Sequence, residues 1–279
     1  MSTSNFLSHR PEWTNGDINR IGDSLRADNQ LSEDQDSLWG DFLVHSEKFI
    51  EELNLILENI ISSFIEGEKS RGCSDISVEI STRVKTEISI KEKLRRQRTK
   101  LSRIQDIAGL RCQINCNLTQ LEELSRTSEE VLDEPGVTVV RKNLLNGEHA
   151  GYRAIHLHIT YPAGRAELQF RTESQSRWAN IYELLADKIG RSIRYHEGVE
   201  SSHPQAEILN QSLEISKKVF SLEQQSTSLQ QKIYNSPQSC ELNMLYNKLE
   251  EINRKKVLCL DEFEQAVALL ESLEKERSK

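Results

Sequence analysis

Two runs of alternating polar and apolar residues, separated by the turn sequence Pro162-Ala163-Gly164, constrain the fold of this chain more than any other feature. The runs extend from Tyr152 to Tyr161 and from Ala166 to Arg171, and such alternation is typical of β-strands whose two faces differ. The polar members of the second run share one face: Glu167, Gln169 and Arg171. We therefore expect a β-hairpin with a polar surface above a packed face.

The rest of the central sequence switches between strand-like and helix-like segments. Further strands are expected near residues 76–80, 110–114 and 137–140. Helical periodicity is present from Leu38 to Phe64 and near residues 87–98, 118–132 and 174–189. This order predicts an α+β fold, in which helices surround a mixed sheet of four or five strands.

The two ends of the chain differ from this centre. Residues 1–34 are rich in Ser, Asn, Asp and Gly and predict a flexible arm, after which residues 35–200 form the sheet domain. Beyond Pro204, two helical patterns interrupted at Asn235-Ser236-Pro237 predict a helical hairpin over residues 204–279. Three roles are open for this hairpin: packing on the sheet domain, covering the active site, or pairing with a second copy or a regulatory partner.

The bulk composition limits the class of protein. The net charge of −8 over 279 residues argues against a chain that coats nucleic acid, although a local basic site remains compatible with it. The five cysteines form no Cys-x-x-Cys pair and suit a reducing cytoplasm. The sequence has no apolar run of membrane-spanning length and no signal-peptide pattern, so we expect a cytoplasmic protein with no membrane partner.

A concentrated basic segment lies upstream of the hairpin. Residues 83–103 contain nine Lys or Arg against two Glu. Ser89 and Lys93 are four residues apart and share one face of the expected helix, and Lys85 precedes its positive N-terminal end. The segment predicts either a cradle for a polyphosphate, in which cations bind phosphate oxygens, or simply a basic surface helix.

Two acids and two aromatic rings complete a possible site. Asp106 precedes an apolar strand and Glu167 lies within one, where Glu is disfavoured. Near bound phosphates two such carboxylates suit Mg²⁺, although Asp106 alone would also suit a turn. Tyr152 offers a ring on which a base can stack, and His156 can bind a phosphate or ribose. Taken singly, each of these two rings is more often structural.

Several motifs together resemble the synthetase domain of the RelA/SpoT family of alarmone synthetases over roughly residues 38–195. The motifs are Arg83-Val84-Lys85 with Ser89 and Lys93, Asp106-Ile107-Ala108-Gly109-Leu110-Arg111, Gly151-Tyr152-Arg153 with His156, Glu167-Leu168-Gln169-Phe170-Arg171-Thr172, and Trp178-Ala179. The resemblance is to single-domain members, because no motif of the family's hydrolase domain is present. It implies a sheet related to nucleotidyltransferase folds and transfer of the ATP β,γ-pyrophosphate to the 3′-hydroxyl of GDP or GTP, the synthesis of (p)ppGpp.

The resemblance also implies a role for each matching residue. ATP would be bound by Arg83, Lys85, Ser89, Lys93 and Arg111. Asp106 and Glu167 would hold Mg²⁺, and Glu167 would also be the base for the attacking hydroxyl. The acceptor would be contacted by Tyr152, through stacking, and by His156 and Gln169.

One departure from the family pattern leaves the acceptor open. Members that use free guanosine nucleotides usually have Pro-Lys-x-Asn before Gly-Tyr, whereas this chain has Gly147-Glu148-His149-Ala150. Glu148 would repel an acceptor diphosphate. The alternatives are a toxic synthetase that modifies an adenosine nucleotide or the 3′ end of tRNA, with the cations at 95, 96, 98 and 100 as a backbone track, or a catalytically idle nucleotide sensor.

Overall fold

The computed structural model describes residues 5–72, 76–190, 193, 204–235 and 241–277. Its strands are β1 (Val78–Val84), β2 (Ala108–Ile114), β3 (Thr138–Asn143), β4 (Ile155–Tyr161) and β5 (Gly164–Thr172). Its helices are α1 (Asn15–Arg26), α2 (Glu33–Ser70), α3 (Glu87–Gln97), α4 (Leu118–Leu132), α5 (Glu173–Ile189), α6 (Pro204–Asn235) and α7 (Leu242–Arg277). The strands form one sheet in the order β1-β2-β5-β4-β3, which confirms the predicted α+β class and strand number.

The alternation of the hairpin sequence appears directly in its burial. In β5, Ala166, Leu168 and Phe170 are buried, whereas Glu167 and Gln169 are only partly covered. The first strand of this hairpin, β4, begins at Ile155 rather than at the predicted Tyr152. Positive φ angles at Ala150 (51°) and Gly151 (81°) make the preceding segment a tight turn, so the extended backbone starts later.

The chain forms two compact units. The first contains Met1–Cys112, Leu124–Lys142 and His156–Phe170. It includes α1, α2, α3 and most of the sheet. Within it α2 begins with a capping box, in which the Ser32 side chain accepts from the Gln35 backbone N–H and the Gln35 side chain accepts from the Ser32 N–H.

The N-terminal segment differs from the flexible arm that the sequence predicts. From residue 5 it is described by the structure, and α1 buries Ile18, Ile21 and Leu25. A Cβ added at Gly22 would lie 2.6 Å from the Leu101 Cβ, so the helix packs closely. The polar composition of the segment reflects capping by Thr14 and the solvent-facing side of a helix, and the three apolar residues on its other side provide the packing.

The second unit contains Gln113–Glu123, Asn143–Ile155 and Arg171–Lys279. Helices α6 and α7 pack against each other, which confirms the predicted hairpin, although Ser236 and Pro237 at its break lie outside the described residues. Both helices share an apolar core with α5, in which Trp178, Tyr182 and Phe263 are buried. The hairpin is therefore part of a larger unit, which differs from the separate domain predicted for residues 204–279. The expected end of the sheet domain, at residues 194–200, lies outside the described residues.

Two further observations concern the whole described chain. Among the residues that the structure describes, no helix is both long and apolar enough to cross a membrane. Among the described residues, Cys112, Cys116 and Cys259 form no disulfide, and Cys73 and Cys240 lie outside them.

Candidate active site

Asp106, just before β2 in the first unit, is held between two lysines. The Nζ of Lys85 lies 2.9 Å from its Oδ2, and the Nζ of Lys93 lies 2.6 Å from its Oδ1. Lys85 follows β1, where its backbone N–H donates to the carbonyl of Ile107 at 2.8 Å. Two elements far apart in sequence therefore bring their cations to one carboxylate.

This environment determines the charge of Asp106. Burial raises the pKa of the carboxyl group, but the charges of Lys85 and Lys93 and their hydrogen bonds outweigh burial, so the pKa lies below its usual value. Asp106 is thus ionised at neutral pH. An ionised carboxylate flanked by two ammonium groups offers a ligand for a cation and binding groups for phosphate in the same place.

Helix α3 places Ser89 and Lys93 as the sequence predicts. Thr86 caps the helix, because its side-chain oxygen accepts from the backbone N–H of Ser89 at 3.4 Å. Its hydroxyl also donates to the Ser89 hydroxyl oxygen at 3.0 Å. Ser89 therefore lies in the first turn, and Lys93 lies one turn later on the same face.

Arg83 and Arg111 come from β1 and β2, which are neighbours in the sheet. Arg83 is exposed, and a Cβ added at Gly109 would lie 3.7 Å from its Cγ. Gly109 and Arg111 share the half-exposed face of β2, opposite its buried residues. The two arginines therefore lie on one face of this strand pair.

Glu167 is the centre of a second cluster in the first unit. Its Oε1 lies 3.2 Å from Nδ1 of His156 and 3.1 Å from Nε2 of His158. The amide of Gln169 donates to its other oxygen, Oε2, at 2.6 Å. The cluster unites three residues with predicted roles and adds His158, for which the sequence suggested no role although alternation places it on the face of His156.

Glu167 is also ionised. Burial raises the pKa of this carboxyl group, but hydrogen bonds from His156, His158 and Gln169 outweigh burial and hold the pKa well below its usual range. Glu167 therefore has the charge that a metal ligand needs. The same stabilisation makes it a weak base while these hydrogen bonds are present.

The segments that carry the two acids are tied together by Gln105. Its side-chain amide donates to the carbonyls of Ile159 at 2.8 Å and Ala166 at 2.9 Å. The residue before Asp106 thus bonds to the residue before Glu167, and their strands, β2 and β5, are neighbours. Two anionic carboxylates, one just before β2 and one within β5, are the kind of ligand that suits Mg²⁺, which binds through one or two carboxylates together with phosphate oxygens. No local sequence signal identifies Gln105.

In the second unit, Tyr152 is paired with Arg171. The guanidinium Nη2 donates to the Tyr152 hydroxyl oxygen at 2.5 Å, and its Cζ lies 4.7 Å from the ring centroid. One face of the ring therefore carries a cation–π contact.

The loop before Tyr152 is shaped by the second unit. Gly147 and Gly151 have φ angles of 73° and 81°, and Glu148 is exposed between them. The Cβ of Ser216 lies 3.1 Å from the position that a Cβ on Gly151 would occupy. Because it has no side chain, this glycine permits the close approach of α6.

Arg153 of the Gly-Tyr-Arg motif is buried. Its guanidinium donates to the carbonyl of Leu145 and to the Ser216 hydroxyl, the latter at 3.2 Å, and lies 4.2 Å from the centroid of the Phe220 ring. Burial lowers its pKa, although Glu223 acts in the opposite direction. Arg153 therefore supports the loop from within.

The first comparison with known proteins concerns sequence. Residues 82–188 match the family described as a region found in RelA / SpoT proteins. Uncharacterized proteins of Mycobacterium bovis and Mycobacterium tuberculosis are each 38% identical to this chain over 196 residues. The match covers 70% of this chain and 66% of each relative, so the chain spans slightly less than two thirds of their length.

The second comparison concerns structure. A GTP pyrophosphokinase family protein from Streptococcus pneumoniae matches with a TM-score of 0.52 and 24% identity, over 75% of this chain and 96% of that protein. A protein from Streptococcus mutans matches with a TM-score of 0.52 and 25% identity, over 71% of this chain and 98% of that protein. The fold is thus the one found in a GTP pyrophosphokinase family protein. Residues 82–188 of this chain thus carry a RelA/SpoT region, which confirms the resemblance seen in its motifs.

Proposed function

We propose that this protein is an ATP-dependent pyrophosphokinase, which transfers the β,γ-pyrophosphate of ATP to the 3′-hydroxyl of a guanosine nucleotide. The observation that carries the proposal is the position of Asp106 between Lys85 and Lys93, just before β2, with Glu167 on the neighbouring strand β5 of the same RelA/SpoT region. The pairing of two cations with a carboxylate supports a donor site of the kind that pyrophosphate transfer would use.

The donor triphosphate would be bound by exchange of partners. Lys85 and Lys93 both form ion pairs with Asp106. When ATP binds, its phosphate oxygens would replace Asp106 as the partners of the two ammonium groups. The Asp106 carboxylate would then be available to ligate a cation. Arg83 and Arg111 add charge from the sheet, and Ser89 adds a hydroxyl in the first turn of α3. Transfer of phosphoryl groups depends mainly on positioning and neutralisation of this kind.

Mg²⁺ would be held by Asp106 and Glu167. When bound, the ion neutralises the negative charge that develops on the transferred group. The low pKa of Glu167 supports its role as a ligand more strongly than its role as a base. It becomes a stronger base only if His156 and His158 turn away from it, because their hydrogen bonds stabilise its ionised form.

The acceptor would use Tyr152 for stacking and His156 and Gln169 for polar contacts. Glu148 is exposed where the family pattern has lysine, and its charge disfavours an acceptor with a terminal diphosphate. This observation supports a second candidate function, pyrophosphate transfer to an acceptor other than GDP or GTP, such as an adenosine nucleotide or the 3′ end of tRNA.

The basic track proposed for tRNA is partly neutralised within the protein. Arg95 forms an ion pair with Asp28, and the Nζ of Lys100 lies 3.0 Å from a carboxylate oxygen of Asp23. Binding of a nucleic-acid backbone would have to displace both acids. This weighs against tRNA and leaves a small nucleotide as the favoured acceptor.

An idle nucleotide sensor is the third candidate function. Such a module needs cations for the nucleotide but has no need of two ionised carboxylates beside them. The retention of Asp106 and Glu167 therefore supports catalysis. A role of α6 and α7 in self-association or in binding a regulatory partner stays a prediction.

The decisive experiment uses ATP labelled with radioactive phosphorus at the γ position and measures which acceptor receives the label. The full chain is incubated with Mg²⁺ and, separately, with GDP, GTP, an adenosine nucleotide or deacylated tRNA, and the labelled acceptor is identified. We expect a labelled guanosine nucleotide, and loss of labelling in Asp106→Asn and Glu167→Gln. Glu79→Gln, an exposed acid on β1, is the matched control and should retain activity. Labelling of another acceptor would establish the second candidate, and no labelling at all would favour the sensor.

A further inference from the structure

We propose that His156, His158 and Glu167 form a binding site for a borderline transition-metal ion such as Zn²⁺. The two histidines are neighbours on one face of β4, and Glu167 faces them from β5. This site differs in chemistry from the Mg²⁺ site proposed above, because two of its three ligands are imidazole nitrogens.

The distances within the cluster suit such an ion. One nitrogen of each histidine and one oxygen of Glu167 all lie within 4.8 Å of one another. Both nitrogen-to-oxygen distances, 3.2 Å and 3.1 Å, are close to the ligand-to-ligand separation of about 3.3 Å that follows from bonds of about 2.0–2.2 Å in a tetrahedral zinc site. The separation of the two histidine nitrogens, which lies within 4.8 Å, would shorten toward the same value when the ion binds.

The hairpin holds these ligands on rigid elements. Only Pro162 and Ala163 lie between β4 and β5, so the strands are antiparallel, and counting back from the turn places His158 opposite Glu167. Ligands on paired strands lose little freedom when a metal binds. The amide of Gln169 holds the outer oxygen of Glu167 at 2.6 Å and so orients the other oxygen toward the histidines.

The donor set favours zinc-like ions over magnesium. Imidazole nitrogen suits Zn²⁺, Co²⁺ and Ni²⁺, whereas Mg²⁺ takes oxygen ligands almost exclusively. Three protein ligands leave at least one position for water or a phosphate oxygen. All three side chains are largely covered, with exposed fractions of 11%, 21% and 14% for His156, His158 and Glu167.

One consequence rests on the proposed function. Glu167 belongs to both metal sites, so zinc bound by the histidines would withdraw it from Mg²⁺. Zinc should then inhibit pyrophosphate transfer, and excess Mg²⁺ should relieve the inhibition only weakly because it does not compete for the imidazoles.

The test measures metal binding directly, with the full chain free of any affinity tag. Titration calorimetry with Zn²⁺, and the visible absorption of the Co²⁺-loaded protein, should show one ion bound per chain at this site. His156→Gln and His158→Gln should each weaken binding at least about tenfold and change the Co²⁺ spectrum. His9→Gln, an exposed histidine of the same unit, is the matched control and should bind as the wild type does.

Unchanged zinc affinity in both variants, or binding retained when both histidines are replaced, would overturn the proposal, as would no binding by the wild type. Circular dichroism establishes that each variant is folded. Because binding is measured without nucleotide, it distinguishes the two proposals. Zinc bound by a protein without transferase activity would contradict only the proposed function, and an active protein that binds no zinc would contradict only the metal site.

Discussion

The ammonium group of Lys93 lies 2.6 Å from Oδ1 of Asp106, on a side chain that is only 21% exposed. A cation that is proposed to bind phosphate is thus already paired with an acid that is proposed to bind metal. The pair stabilises both side chains in position before any nucleotide arrives. Binding of ATP and Mg²⁺ would exchange partners within a site whose charges are already in place.

The energy of this pair is measurable by a double-mutant cycle. We expect Lys93→Met and Asp106→Asn to couple by about 1–3 kcal/mol in the free energy of unfolding in urea, because both side chains are largely covered from solvent. The exposed pair of Lys217 and Glu214, whose charged atoms lie 2.7 Å apart, is the control and should couple more weakly. Additive effects of Lys93→Met and Asp106→Asn would show that the contact contributes no stability.

Glu223 in α6 should make stability depend on pH. Burial raises the pKa of this carboxyl group above its ordinary value of 4.5, although Thr172 and Gln175 donate hydrogen bonds to it. The folded state therefore holds the proton more tightly, and the contribution of Glu223 to stability is complete below pH 4.5 and lost as pH rises through the folded pKa.

The corresponding variant is Glu223→Gln. Urea unfolding at a series of pH values from about 4.5 to 7 should show that the variant gains stability relative to the wild type as pH rises. Glu214→Gln, on the same helix but exposed, should follow the wild type. A constant difference between Glu223→Gln and the wild type over this range would contradict the raised pKa.

Gly151 should tolerate no side chain. It has a φ of 81°, and the Cβ of Ser216 and the Cζ2 of Trp178 lie 3.1 Å and 3.2 Å from the position that a Cβ would occupy. Gly136→Ala is the matched control, since its φ is 89° but nothing lies within 4 Å. We expect the control to cost about 1–2 kcal/mol for the backbone alone, and Gly151→Ala to cost more, because it also pushes α6 away from the loop. Equal losses of stability in thermal unfolding would mean that α6 does not press on this loop.

Glu148 should influence the choice of acceptor. Replacing this exposed acid by lysine, Glu148→Lys, removes a negative charge and adds a positive one next to Tyr152. If a guanosine diphosphate is the acceptor, its KM should fall several-fold at low salt while the KM for ATP changes little. Glu262→Lys, an exposed site on α7, applies the same change in net charge and should leave both constants unaltered. If the KM for the guanosine nucleotide fell equally in both variants, the cause would be the overall charge of the protein and not the position of Glu148.

Local periodicity accounts for the parts of the fold and site that were predictable. Alternation placed Glu167 and Gln169 on one face of β5, and a spacing of four placed Ser89 and Lys93 on one face of α3. Both patterns follow from the backbone repeat of a single element, so they are readable without any knowledge of neighbouring segments. The resemblance to the RelA/SpoT family was recognisable for the same reason, because each of its motifs lies within one short segment.

Contacts between distant segments were not predictable in this way. The sequence by itself determined the hairpin, the basic helix and the charged residues of the site. Only the tertiary structure decided that Lys85 and Lys93 hold Asp106, that His158 joins His156 at Glu167, and that α1 is an ordered helix. Each of these three features depends on which surfaces of the folded chain pack together. The energy of an ion pair and the pKa of a side chain are set by the groups that are close in space, whatever their separation along the chain.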